Sequence, residues 1–192
     1  MLGIIATIPL AMSTLAATPA PSNLIVPEPN EIKATDGQFI LSQDTIIVSP
    51  VSLKNEAVQL RDTLAPATGF KLAIQGKAAK AKGPRISLAL DPALKNLGKE
   101  GYTLDVTQTG VSIKAPTSAG IYYGTQSLIQ LLPAEITLDK KSSATWTIPF
   151  VSITDQPRFA WRGFMLDEAR WFKGEKEVIK LIDQMAALKM NV

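Results

Sequence analysis
The side chains able to do chemistry in this 192-residue sequence are few in kind, because it holds no cysteine and no histidine. That removes a thiol nucleophile, a disulfide framework, a Ser-His-Asp triad and the usual zinc ligand sets. Carboxylates, hydroxyls, lysine and arginine remain. Asp167-Glu168 is an adjacent acidic pair, built from the residue types of a general acid and base. Neighbours at the end of a strand point in different directions, so capping or support of a site is the expectation for them. Arg162, in Trp161-Arg162-Gly163, offers five donors in a rigid fork. Lys77, Lys80, Lys82 and Arg85 form a basic run with only Ala, Gly and Pro between them. Single-stranded nucleic-acid sites interleave cations with aromatic rings, so a solvated loop is expected here and no nucleic-acid partner. Gly120 and Gly124 lack the Lys and Ser/Thr of a phosphate loop and are expected to let a helix pack closely on a sheet. Trp161 and Trp171 are expected in a buried core rather than stacked on a sugar.

The elements that must position these groups follow from pattern and punctuation. Residues 1–17 are an apolar run grading into small residues and then Thr18-Pro19-Ala20-Pro21, which reads as a signal peptide and an exported protein, secreted or periplasmic. At roughly 15 residues the run is short of the about 20 needed to span a bilayer, so no membrane span is expected. Apolar residues make up 46% of the chain and Lys+Arg exceed Asp+Glu by 20 to 17. Such a chain is globular, with one compact domain or one domain plus part of another, and its mild charge excess names no anionic partner.

Short β-rich runs at 39–41 and 45–48 precede a helical stripe of Leu53, Ala57, Leu60 and Leu64, closed by Pro66 and Gly69. Residues 70–74 and 86–90 alternate like half-buried strands, and 102–106 with 111–115 flank a Gln108-Thr109-Gly110 turn as a hairpin. A second helix is expected over 118–132. The fold class is therefore α+β, a small antiparallel sheet with two helices over residues 24–150, with 134–150 as a polar connector. Beyond it, Phe164-Met165-Leu166 reads as a strand buried on both faces and 175–190 as an amphipathic helix. Asn191-Val192 then reads as the stub of a further strand. A strand, a helix and a stub make an unfinished βαβ unit, so the expectation is a chain that breaks off inside its second domain, 151–192.

Two stretches resemble family 20 glycoside hydrolases. Gly101-Tyr102-Thr103-Leu104-Asp105-Val106, Gly110-Val111-Ser112-Ile113 and the run from Gly120 to Leu132 look like the accessory domain that precedes the barrel in that family. The run from Pro157 to Phe172, with Met185-Ala186-Ala187-Leu188-Lys189-Met190-Asn191-Val192, looks like the first strand and helix of its (β/α)8 barrel. The resemblance covers roughly residues 25–192. It implies a β-N-acetylhexosaminidase that removes terminal N-acetylglucosamine or N-acetylgalactosamine from glycans with retention, the substrate's own acetamide oxygen acting as nucleophile. It implies a glycan partner, no cofactor and no metal. The family's catalytic Asp-Glu pair and its His-rich segment lie beyond the matched region, so no catalytic residue carries over and the chain alone is expected to be inactive. Arg162 carries over as the arginine that hydrogen-bonds sugar hydroxyls; the other reading of Arg162 is an ion pair with a barrel carboxylate that supports the site. Trp171 stands where the family often has His in Ser-Arg-His. The alternatives are a stand-alone carbohydrate-associated module, or another hydrolase sharing the accessory domain, such as an α-glucuronidase or an O-GlcNAc hydrolase; the 161–172 stretch argues against the latter.

Overall fold
The computed structural model describes residues 24–76 and 83–192. The expected signal peptide at 1–17, and Lys77, Lys80 and Lys82 of the basic run, lie outside the described residues.

Seven strands form one sheet: β1 (Glu31–Ile40), β2 (Ile46–Val48), β3 (Ile74–Gln75), β4 (Arg85–Leu90), β5 (Tyr102–Thr107), β6 (Gly110–Ala115) and β7 (Thr147–Asp155). Their spatial order is β1-β7-β5-β6-β4-β2-β3. The α+β class stands, but the sheet is mixed rather than antiparallel. β2 runs parallel to β3 and to β4, and β4 parallel to β6, while β1/β7, β5/β7 and β5/β6 are antiparallel. The reason lies in the connections. A parallel pair needs a crossover long enough to return the chain to its starting end, and α1 (Lys54–Thr68) supplies one between β2 and β3. α2 (Ser118–Gln130) carries the chain from β6 over β5 to β7, two strands that run the same way without pairing. Antiparallel pairing survives in the tight β5–β6 hairpin and its β7 neighbour.

β7 is the element the sequence hides. Its first half lies in the expected polar connector, and Pro149 interrupts it. A proline is confined to places where no ladder partner needs its N–H. Here β7 pairs with β5 only from Val151 onward, and Pro149 falls at the register shift where β1 bulges between Ala34 and Gln38. Val151 and Ile153 are buried at 3% and 0% exposure. The sheet domain therefore runs through Asp155, and a boundary at residue 150 divides its inner strand.

Alternation along the strands sets two faces. Tyr102, Leu104 and Val106 of β5, Val111 and Ile113 of β6, and Ile86 and Leu88 of β4 point under the helices into the core. The opposite face is polar, with Ser87, Ser112, Asp105 and Ser152 abreast in register and Ser152 Oγ donating to Asp105 Oδ1 at 2.6 Å. Both helices contribute to the core, α1 through Leu60 and Leu64 and α2 through Ile121 and Leu128. α1 ends where its sequence says it should: Gly69 caps it at φ +71 and Pro66 sits in the last turn.

Beyond Asp155 the packing changes. Residues 164–166 form no strand and are exposed, against the expectation of burial on both faces. Trp161 and Trp171, expected in a core, are 74% and 71% exposed. α3 (Glu175–Ala187) forms as its periodicity predicts, but buries none of its residues completely. The physical reason is shared: among the described residues, the segment 162–164 is hydrogen-bonded along one side only, to residues 191–192.

Candidate functional site
Two carboxylates of the sheet domain meet two cations of residues 157–192 at one end of the sheet. Tyr102 opens β5 and Asp155 closes β7, and the two are direct cross-strand partners on the core face. Lys189 reaches them from just beyond α3, where it adopts a left-handed φ of 60°. Its Nζ donates to Asp155 Oδ2 at 3.0 Å and to the Tyr102 hydroxyl at 2.9 Å. That hydroxyl in turn donates to Asp155 Oδ2 at 3.0 Å and lies 2.6 Å from Ser127 Oγ on α2. The set is buried, Lys189 at 7% and Asp155 at 9% exposure. Burial pushes the Lys189 ammonium below the usual lysine range while the Asp155 carboxylate opposes the shift. Burial, and then the same carboxylate, raise the Tyr102 phenol, which therefore stays protonated as a donor.

Arg162 occupies the second point. Its Nη1 pairs with Glu100 Oε2 at 2.9 Å and donates to Phe159 O at 2.7 Å, and its Nε donates to Lys189 O at 2.7 Å. The guanidinium lies 5.6 Å from the Tyr123 ring centroid. Nη2 alone is left, buried and without a partner. Asn191 ties the same knot, donating through Nδ2 to Glu100 Oε1 at 3.1 Å and to Ala160 O at 2.9 Å, while its Oδ1 accepts from Arg162 N at 3.0 Å. Between these groups lies a cleft of about 210 Å³ lined by Glu100, Tyr102, Tyr123, Asp155, Arg162 and Lys189 among others.

The expectation that Arg162 donates to sugar hydroxyls meets a different setting. Its fork is turned onto protein acceptors, and the carboxylate it pairs with comes from the sheet domain, not from a barrel strand. The position bears on this, since Arg162 opens the short segment 162–164 that pairs with residues 191–192. A reading of sequence registers the arginine but not the direction in which a strand start faces. Lys189 was legible only as one residue of a helical run.

Residues 162–164 and 191–192 lie side by side. Val192 N donates to Arg162 O at 3.2 Å and Phe164 N donates to Val192 O at 3.1 Å. One residue bonding to both neighbours of another is the parallel pattern, so 162–164 and the segment returning from α3 lie parallel. Past the exit of the first strand, Arg170 is 91% exposed beside Asp167, with Nε–Oδ2 at 3.1 Å. Glu168 Oε2 accepts from Lys173 N at 2.9 Å while its Oε1 is buried without a partner. Asp167 Oδ1 accepts from Ala169 N and Arg170 N at 3.1 and 3.0 Å, capping a turn and not a helix. Among the described residues no group of three His, Cys, Asp or Glu side chains is placed to hold a metal ion, and no helix is long and apolar enough to cross a membrane.

Because Arg162 bonds to Glu100, Phe159 O and Lys189 O, Arg162→Ala is expected to raise the proteolytic susceptibility of this chain between residues 157 and 192. An unchanged cleavage pattern in a folded variant would mean that these contacts do not hold the segment.

Comparison with known proteins bears on the same two units. Residues 23–156 match the model of glycosyl hydrolase family 20, domain 2, and residues 159–192 match that family's catalytic domain. A β-hexosaminidase of Porphyromonas gingivalis is 38% identical over 168 residues, covering 87% of this chain and 21% of the relative. A β-N-acetylhexosaminidase of Cellulomonas fimi is 32% identical over 178 residues, covering 90% of this chain and 34% of the relative. The solved structure of a family 20 β-N-acetylhexosaminidase from Streptomyces coelicolor A3(2) superposes with a TM-score of 0.78 at 36% identity, covering 91% of this chain and 35% of that one. This chain thus spans about a fifth to a third of the length of these relatives. The match of both units, in order and over nearly the whole described chain, makes this protein a member of glycoside hydrolase family 20.

Proposed function
We propose that this chain is the N-terminal portion of an exported exo-β-N-acetylhexosaminidase, comprising its accessory domain and the first strand-helix unit of its (β/α)8 barrel. The observation that carries the reading is the parallel pairing of 162–164 with Val192 across α3, seated on an accessory sheet. Parallel strands joined by a covering helix are the repeating unit of that barrel. The bare apolar surface around Phe164, Met165 and Ile182 is the surface that further barrel elements would cover.

In this reading the intact enzyme removes terminal N-acetylglucosamine or N-acetylgalactosamine with retention, the acetamide oxygen serving as nucleophile. Barrel enzymes assemble their sites at the C-terminal ends of the strands. Arg162 stands at the opposite, entry end, so we assign it to holding the unit in place. Substrate contacts from this chain then belong to the exit end, where Asp167, Glu168 and the exposed Arg170 lie.

The 192 residues alone are expected to release no aryl alcohol from an aryl N-acetylglucosaminide, because a positioned proton donor is worth about 10²–10⁴ in rate and the Asp-Glu pair is expected beyond Val192. The test is a paired assay of this chain and of the product read from the coding sequence past Val192. Turnover by the short chain would overturn the assignment. A continuation without a barrel would favour the stand-alone carbohydrate-associated module.

A further inference from the structure
Of residues 156–192, Lys189 alone is buried. No apolar side chain of the unit beyond the sheet is fully buried: Phe159, Trp161, Met165, Trp171 and Phe172 lie open, while Val178, Leu181, Met185 and Met190 are half-buried. The ion pairs that join the two parts sit at two places. Glu100, just before β5, grips Arg162 and Asn191, one on each of the two adjacent segments. Asp155, at the end of β7, grips Lys189 with Tyr102 and Ser127 closing the set. Gln130 at the end of α2 adds a neutral contact, donating to Ala187 O at 2.9 Å.

A greasy interface tolerates sliding, whereas a buried ammonium does not, because any shift strands it without its carboxylate. The two pairs also act at the points that fix the geometry of a βαβ turn. Arg162 opens the first strand. Lys189, in a left-handed conformation that non-glycine residues rarely adopt, turns the chain out of α3 so that Met190, Asn191 and Val192 run back beside 162–164.

We propose that the sheet domain is a template for the strand-helix-strand unit, setting the spacing and register of its two strands through the Glu100–Arg162 and Asp155–Lys189 pairs. Lys189 and Arg162 are positioning residues in this arrangement. The open apolar face stays free for whatever packs on the unit next. The inference holds for the 192-residue chain as it stands, whether or not a longer form hydrolyses N-acetylhexosaminides.

Amide hydrogen exchange on the full chain tests it, comparing wild type with Lys189→Met, Glu100→Gln and the double variant Asp155→Leu/Lys189→Met. Local opening is read amide by amide. Lys189→Met is expected to speed exchange in α3 and at Asn191 and Val192 by about tenfold or more, and Glu100→Gln by less and chiefly around 160–164 and Asn191, with β4, β5 and β6 unchanged in both. The double variant, which leaves no charge stranded, is expected to match Lys189→Met beyond Asp155. The proposal is overturned if 160–192 exchanges equally fast in wild type and both single variants. It is also overturned if the sheet amides accelerate as much as those of α3, because the pairs would then be core stability and not a template.

Discussion
Removing residues 151–192 is expected to abolish the cooperative unfolding of the chain, whereas removing 157–192 leaves it in place. The difference is half a strand. β7 lies between β1 and β5, and β1 reaches the rest of the sheet chiefly through it. Every β5–β7 pair, from Val106 with Val151 to Tyr102 with Asp155, falls within the six positions that separate the two truncations. Val151 and Ile153 are two buried side chains among them, and each contributes about 1.5–3 kcal/mol by leaving water. Their loss uncovers Leu104 and leaves β1 paired only with the short remnant 147–150. Against a total stability of about 5–15 kcal/mol for a domain of ordinary size, that is enough to remove the folded state. Urea melts followed by circular dichroism would show one sigmoid for 1–156 and a shallow drift for 1–150. Superimposable melts would mean that β7 is dispensable and that the sheet closes at residue 150.

Gly120→Val should be the most damaging single substitution available on α2, costing about 3 kcal/mol, the upper range for overfilling a packed site. A Cβ at Gly120 would stand 2.3 Å from the carbonyl oxygen of Gly101 and 2.7 Å from Ala115 Cβ. Backbone cannot rotate away as a flexible side chain can, so the helix itself must lift. One turn on, a Cβ at Gly124 would meet Ile113 Cγ2 at 2.5 Å and the Tyr102 ring at 3.2 Å. Lifting α2 therefore also pulls Ser127 from the Tyr102 hydroxyl. In a domain of this size about 3 kcal/mol lowers Tm by roughly 6–12 °C. Gly76→Ala is the control: nothing lies within 4 Å of its added Cβ, and a change within about 0.5 kcal/mol is expected. If thermal melts of Gly120→Val and wild type coincide, the close approach of helix and sheet carries no energetic weight.

Much of this protein was written locally. The β5–β6 hairpin follows from alternation on either side of Gly110, α1 ends at Gly69 because a left-handed cap favours glycine, and α2 carries glycines where it touches the sheet. Two runs of residues were also enough to suggest family 20, and the family comparison agrees. These features depend on neighbours within a few positions, so pattern reveals them. Strand direction does not, since parallel and antiparallel partners share the same alternation and only the path of the connections decides between them. β7 escaped for a related reason: Pro149 is disqualifying in a strand until one knows that β5 has already turned away there. The seam was the least legible part. Glu100, Asp155, Arg162 and Lys189 are four ordinary charged residues spread over ninety positions of sequence. Nothing local distinguishes a lysine at a helix end that stays in water from one that is drawn under a sheet. That was decided by tertiary structure alone, when the cross-strand register set Tyr102 against Asp155 and gave a buried ammonium the partners it needs.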